Sequence, residues 1–461
     1  MTRIAIIGGG ISGLAAAYEL EQHRSAGADV EYTLYESSPQ LGGVLRTEHI
    51  DGCVVEAGPD SFVTEKPWAA DLARSLGIGD QLIGSNDADR KTYILTRGRL
   101  VEMPDGLMFL VPTKIVPTGL SPLFSWKTKL RMTRELMHLP RAADHDESVA
   151  AFVERHYGSE MVDRLADPLL SGVYGGEAAN LSVRAVLPRF AEMERTHGSL
   201  GRAMLAARKK MKAMRQSVPP LFTSLKNGMQ SLAQTAISNL PSSSLLTNAL
   251  VQAIQREAGG WLVSAGMKSD SFDAVIVALP ARAAAEVLVG ASTDLARELA
   301  GIEYSSSITV GLGYDRDVRQ SLPAGFGFLV PRSEGKRLLA ATFVHNKFPH
   351  RAPEDRALLR CFFAGENAEK VWSLTDDQIV AIVRNELQQI VGLRAEPLFA
   401  RVYKWKSAMA QYTVGHLERL ERIEALRQQL PGLALAGNAY RGIGVPDCVR
   451  SGRDAARQLL S

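Results

Sequence analysis

Three kinds of hydrophobic pattern divide the 461-residue chain. The first is a short β-branched run followed by glycine. Arg3 to Ile7 has this form and predicts a strand buried on both faces. Leu14 to Leu20 then reads as an apolar helix, and Val30 to Tyr35 as a second strand ending at Glu36. The same pattern returns much later. Asn227-Gly228 predicts a turn before a helix, Gly259-Gly260 a hairpin, and Ala274 to Leu279 a buried strand stopped at Pro280. Leu433 to Ala436 predicts one more strand. A last helix starts at Val445 and Pro446, with proline at its first position and Asp447 in its first turn.

The second pattern runs from about Ser125 to Arg215. Apolar residues recur there at three- and four-residue steps, which predicts helices, broken near Pro168 and Gly172. The third, from about Ala281 to His416, alternates strand-like pieces such as "SSITVGLGY", "GFGFLVP" and "ALLRCFFAG" with loops. It predicts a mixed sheet able to wall an apolar pocket. Aromatic residues in such strands also suit plain core packing.

Composition narrows the class. Hydrophobic residues make up 46% and charged residues 22%, as in a globular protein with a large core. Net charge is only +3, which gives no general attraction to nucleic acid. Three cysteines, Cys53, Cys361 and Cys448, stand far apart and away from metal-ligand spacing, so neither a disulfide scaffold nor a metal site is expected. The nine histidines are scattered, with none read as paired to an acid at ligand spacing. Met1-Thr2-Arg3 leads straight into a strand, so a signal peptide is not expected. No apolar stretch is long enough to span a bilayer. A cytoplasmic protein is expected, with peripheral contact on the inner face of the cell membrane. The basic run Arg202, Arg208, Lys209, Lys210, Lys212 and Arg215 suits an anionic membrane surface, a carboxylate-bearing substrate or a solvated helix face.

The chemistry begins at Gly8, Gly10 and Gly13. Their G-x-G-x-x-G spacing allows a tight turn, close approach of a pyrophosphate, and helix-on-strand packing. The helix N-terminus would face the phosphates. Glu36, about 20 residues further on, can accept hydrogen bonds from a ribose diol. These features point to an ADP moiety without separating NAD from FAD.

Gly42 and Gly43 follow soon after Glu36, then Arg46, then "VEAGPDSF" from Val55 to Phe62. This double signature resembles that of the large flavoprotein family containing amine oxidases, carotenoid desaturases and porphyrinogen oxidases. Further along, "DPLLSGVYGGEAANLSVRAVLPRFAEME", "GFGFLVPRSEG", "HNKFPHRAPE", "QYTVGHLERL" and "LAGNAYRGIGVPDCVRSG" resemble the oxygen-dependent porphyrinogen oxidases of haem biosynthesis, so the likeness covers nearly the whole chain.

The resemblance implies an α/β fold: a Rossmann-type FAD-binding domain over 1–85, 220–280 and 425–461, a mixed-sheet substrate domain over 86–110, 201–219 and 281–424, and an inserted, membrane-facing helical domain over 111–200. It implies non-covalent FAD held first by Gly8, Gly9, Gly10, Ile11, Ser12 and Gly13, with Glu36 and Ser37. Gly43, Val44 and Arg46 would follow, then Gly58, Pro59, Asp60 and Ser61 along the flavin. Val251 would lie near the adenine and Trp405 near the cofactor. Gly437, Val445, Pro446 and Asp447 would present the final helix to the flavin. Val251 and Trp405 also suit ordinary core positions, and Gly58-Pro59-Asp60 an ordinary turn.

The implied reaction removes six electrons from coproporphyrinogen III or protoporphyrinogen IX in three hydride transfers to flavin N5. Molecular oxygen reoxidises the flavin and forms hydrogen peroxide. No catalytic acid or base is assigned. Leu169, Phe326, Leu329 and Phe362 would sandwich the macrocycle, though each also suits a core. A substrate carboxylate would look for an arginine where Met108 stands, which leaves Lys114 or Arg46. Transient contact with the next enzyme of the pathway is expected. A carotenoid desaturase, an amine oxidase and a binding protein without redox chemistry remain the alternatives.

Overall fold

The computed structural model describes residues 1–108, 110–112, 115–141, 145–213 and 219–460. The chain forms two compact units. One comprises Met1–Ser85, Leu221–Tyr304 and Leu417–Ser461, the other Asn86–Pro220 and Ser305–His416. Segments 281–304 and 417–424 thus cluster with the first unit, because Leu288, Leu295, Leu299, Leu420 and Ile423 share one of its cores. The helices between 111 and 200 cluster with the second.

The first unit is built on a five-stranded parallel sheet. Its order is Leu245–Leu246, Val30–Tyr35, Thr2–Ile7, Ala274–Val277, Leu433–Leu435. Alternation along the central strand explains the apolar run. Ile4 and Ile6 enter one core with Leu14, Leu34 and Val449, while Ala5 and Ile7 enter another with Val275, Trp261 and Phe272. The first core lies under the helices Ile11–Ser25 and Val445–Leu460. The second lies under the antiparallel strands Val251–Glu257, Gly260–Ala265 and Lys268–Phe272.

Two residues let the first and last helices meet. A Cβ on Gly452 would stand 2.0 Å from the Ser12 carbonyl oxygen, so only glycine permits that approach. Glu19, itself buried, accepts hydrogen bonds from Arg453 Nε at 2.6 Å and Arg457 Nε at 2.7 Å. Burial opposes its charge, but the two guanidiniums hold its carboxyl below the usual carboxylate range.

The second unit centres on a seven-stranded sheet. Its order is Phe399–Ala410, Tyr304–Asp315, Arg356–Ala364, Ala340–Phe343, Gly327–Leu329, Thr92–Thr96, Arg99–Glu102. The pair Gly327–Leu329 with Thr92–Thr96 is parallel, whereas the neighbouring pairs are antiparallel. One face packs Val310, Phe328, Ala341, Cys361 and Phe363 against Ile379, Val383 and Leu387 of the helix Asp376–Val391. A capping box starts that helix. Gln378 N–H donates to Thr375 Oγ1, and the Gln378 side chain accepts from Thr375 N–H.

Serine caps begin several helices of the layer that follows residue 125. Ser125, Ser148 and Ser182 cap Trp126–Glu135, Val149–Tyr157 and Val183–Val186. The helix containing Pro168 corrects an expectation. Asp167–Tyr174 runs through Gly172 and ends at Gly175 (φ +64). The disturbance lies before Pro168, where Val162–Ala166 winds as a π-turn. Proline has no N–H for the regular ladder, so the preceding turn widens.

Candidate functional site

The glycine turn follows the central strand of the parallel sheet. Gly8 has φ +108, and its N–H donates to the Tyr35 carbonyl at 2.8 Å. A Cβ on Gly13 would strike the Gly8 carbonyl at 1.9 Å, so the helix can sit this close to the turn only with glycine there. Gly10 caps the helix in an extended conformation, and a Cβ there would meet nothing within 4 Å. Open space therefore lies beside Gly10, at the end where Ile11, Ser12 and Gly13 begin a helix. First-turn N–H groups lack intrahelical partners and favour anions.

Glu36 is aimed at this turn. Its Oε2 accepts from Gly9 N–H at 2.8 Å, and its Oε1 from Ser38 N–H at 2.8 Å and Ser37 Oγ at 3.3 Å. The second glycine pair lies alongside. Gly42 N–H donates to the Gly9 carbonyl at 2.8 Å, and a Cβ on Gly43 (φ +58) would stand 3.2 Å from Gly10 Cα. Val44 and Arg46 continue from it on the surface. A Cβ on Gly58 would strike the Val44 carbonyl at 1.9 Å, which sets the Gly58–Ser61 turn directly on that segment. Ser61 Oγ donates to Asp60 Oδ1, and Ser224 Oγ to the Asp60 carbonyl. Pro59 is half-buried, and Val251 is buried in the second core.

The final helix begins at Val445, as its sequence predicts. Pro446 follows in its first turn. Gly437 N–H donates to Ser451 Oγ at 3.1 Å. Asp447 is buried, and a Cβ on Gly442 would stand 2.3 Å from its carboxyl carbon. Lys66 Nζ donates to Asp447 Oδ2 at 2.6 Å. Lys66 is a partner that the sequence reading missed. Its only signal was its place four residues after Phe62. The nearby thiol of Cys448 is pushed up to about 12 by burial, so it is an inert packing group.

In the second unit the register groups two of the four macrocycle candidates. Leu329 pairs with Ala340, and Ala340 with Phe362, so the three form one row across the sheet. Phe328, Ala341, Cys361 and Phe363 point into the core, so Leu329 and Phe362 lie on the opposite face. Both are half-buried rather than core residues. Leu169 is also half-buried, on a helix that packs against the strand Arg356–Ala364. Phe326 is buried just before the first strand of the row. Trp405 is half-buried on Phe399–Ala410, which removes its reading as a core tryptophan. Arg46 is exposed in the first unit; Lys114 and the Met108 side chain lie outside the described residues. So do Arg215 and the side chains of Arg208, Lys210 and Lys212, while Arg202 is tied to the His138 and His197 carbonyls.

Residues 11–460 match the flavin-containing amine oxidoreductases. The chain belongs to that family. As a flavin oxidoreductase of this family it uses FAD. The residues at the glycine turn fit such a group: open space beside Gly10, a helix start, and a carboxylate held over the loop. Among named family members, the chain is 32% identical to coproporphyrinogen III oxidase of Bacillus subtilis, covering 99% of this chain and 98% of that one. It is 28% identical to mitochondrial protoporphyrinogen oxidase of Nicotiana tabacum, covering 100% and 95%. A crystal structure from Exiguobacterium sp. superposes with a TM-score of 0.88 at 30% identity, covering 99% of this chain and 98% of that one. Cyclohexylamine oxidase from Brevibacterium oxydans shares the fold at a TM-score of 0.70 and 19% identity, covering 99% and 98%.

Proposed function

We propose that this flavoenzyme oxidises a porphyrinogen to a porphyrin, with coproporphyrinogen III as the preferred substrate and O2 as the electron acceptor. The observation that carries this reading is the end-to-end likeness to coproporphyrinogen III oxidases, which reaches 32% identity against 28% for the protoporphyrinogen oxidase. Non-covalently bound FAD supplies a two-electron acceptor that O2 regenerates with release of H2O2, so three cycles account for six electrons.

The chain's own residues have separate tasks in this reading. The glycine turn from Gly8 to Gly13 and the helix start bind the pyrophosphate, and Glu36 orients the ribose. The N-terminus of the final helix stabilises negative charge that arrives with the hydride. Lys66 offsets the Asp447 carboxylate beside that helix end. Leu169, Phe326, Leu329 and Phe362 supply apolar surface that positions the macrocycle and excludes water. A proton-transfer residue is not needed to explain the gain of conjugation.

Two exposed features support a peripheral membrane role on the cytoplasmic side. Leu120, Trp126, Leu130, Met137 and Leu139 are exposed, Trp126 at 81%. Lys127, Lys129, Arg131 and Arg134 lie on the same helix, and its one acid, Glu135, is buried. An exposed apolar stripe with basic flanks suits an anionic bilayer surface. No helix among the described residues is long and apolar enough to cross a membrane. Release of product to the next enzyme of haem synthesis would take place at that surface.

The deciding experiment is an aerobic fluorescence assay with coproporphyrinogen III, protoporphyrinogen IX, a carotene and an amine. Porphyrin formation above autoxidation, faster with coproporphyrinogen III, is the expected result. Turnover of only the carotene or the amine, or a bound flavin that porphyrinogen fails to bleach without oxygen, would overturn the proposal. Co-sedimentation with anionic vesicles, lost in Trp126→Ser/Leu130→Ser, tests the membrane reading separately.

A further inference from the structure

Away from the nucleotide fold, the helical layer holds a buried cluster that the redox reading does not use. Glu135 and His138 stand three residues apart where the helix Trp126–Glu135 ends, an acid–histidine pair that corrects the expectation of unpaired histidines. His156, on Val149–Tyr157, completes a group whose ligand atoms all lie within 4.8 Å of one another. Glu135 and His156 are buried and His138 is half-buried.

The surroundings of each side chain resemble an outer shell. His156 Nε2 lies 3.2 Å from Glu194 Oε1, and Arg155 holds that carboxylate in place. With Nε2 donating to Glu194, His156 Nδ1 directs a lone pair at Glu135 Oε1, 3.3 Å away. Two electron-rich atoms so placed require a cation between them, either a proton on the ring or a metal ion. Two zinc ligands at bond lengths near 2.0–2.2 Å are separated by about 3.3–3.5 Å in a tetrahedral site. Glu135 is itself oriented by Ser199 Oγ at 2.9 Å and Leu200 N–H at 2.5 Å. Arg202 donates to the His138 carbonyl at 2.6 Å and fixes that turn of chain. Among the described residues the His138 imidazole has no hydrogen-bond partner, and its ring lies 5.1 Å from that of His156. Charge points the same way. Glu135, Glu194 and Glu147 face a single guanidinium within the cluster, Arg155, and a divalent ion offsets the excess more fully than one proton does.

We propose that Glu135, His138 and His156 bind a divalent cation of the zinc type, with a fourth position open to water beside His138. The carboxylate–histidine–metal chain through Glu194 fixes the imidazole. The ion would join the ends of two helices to the start of a third, Leu200–Ala213, and its role is structural.

The test uses the tag-free, full-length, chelator-stripped protein titrated with Zn2+ and with Co2+. One equivalent should bind, raise the melting temperature and give a cobalt ligand-field absorption. His138→Ala should melt as the metal-free wild type does, weaken binding at least about tenfold and lose the cobalt band. His138→Cys should restore binding. Failure to retain one equivalent, or equal retention by His138→Ala, overturns the site. So does a melting temperature that falls as pH rises through the imidazole range yet ignores added metal, because His156 then carries only a proton.

Discussion

The two units commit sequence to function in opposite ways. In the first, the proposed ligand contact is made by a backbone turn, and segments of that turn pack together only where Cβ is missing. Gly8, Gly13 and Gly58 each sit where a Cβ would lie within 2.5 Å of a carbonyl oxygen. That requirement writes a motif. In the second unit the proposed contact surface is a row of apolar side chains, half-buried Leu329 and Phe362 on either side of buried Ala340, on the face of a sheet. Any strand of a core has the same composition, so this surface writes none. Sites made of backbone geometry are legible one residue at a time, whereas sites made of side-chain surface become legible only through register.

The largest effect should come from filling the glycine turn. In Gly13→Val a branched side chain would have to occupy space 1.9 Å from the Gly8 carbonyl, beyond what small shifts can absorb. Purified protein should be colourless or insoluble, checked by the flavin absorbance band. A soluble yellow Gly13→Val protein with normal flavin content would break the comparison at its root.

Next comes an acid-sensitive element of the second unit. His345 is buried, which favours the neutral ring, and its pKa is lowered to about 4 despite the Leu358 carbonyl beside its Nδ1. Its folded value lies below the unfolded value near 6.5. The associated stability is therefore fully present above pH 6.5 and is lost as pH falls towards 4, on the order of 3 kcal/mol in total. His345→Gln should flatten the melting temperature over this window relative to wild type. Parallel curves for the two proteins would refute it.

The limits of legibility follow from the same contrast. The strand Thr2–Ile7, the helix after it and the Val445 helix start were all readable, because local pattern and turn chemistry agreed. The seven-stranded sheet was readable only as a mixed sheet. Its order joins residues 92–96 to 327–329 and 340–343 to 356–364, and no local pattern carries that pairing. Two polar groupings were invisible for a related reason. Glu19 meets Arg453 and Arg457 from the far end of the chain, and Glu135 meets His156 and Ser199 across three helices. Gly172 misled because a single glycine inside a helix costs only about 1 kcal/mol, which packing overrides. Pro168 was informative, but its effect fell on the turn before it.

Glu19→Gln sharpens the comparison within the first unit, since it removes a side-chain contact and leaves every glycine in place. The neutral amide loses the charge-assisted bonds to Arg453 and Arg457. Arg457 is half exposed, which screens part of the loss, so the expected cost is about 2 kcal/mol. Melting should occur at lower temperature with flavin content unchanged at 25 °C. Complete loss of flavin would mean that the helix pairing, and not the turn alone, determines cofactor binding.

The smallest expected change falls on the second unit, and it separates the two kinds of site most cleanly. Phe362 lies in the row with Ala340 and Leu329, on the sheet face away from the core. Phe362→Ala therefore removes surface without opening a cavity among Val310, Cys361 and Phe363. Flavin absorbance and melting temperature should stay near wild type. In the porphyrinogen assay kcat/KM should fall about tenfold, mostly in KM, because the lost contact binds substrate and transition state alike. Phe362→Leu should recover most of the loss. A fall confined to kcat would instead assign Phe362 to alignment of the reacting carbon. An unchanged kcat/KM would remove it from the substrate surface, and a loss of flavin would show that the two units do not divide cofactor from substrate in the way their sequences suggest.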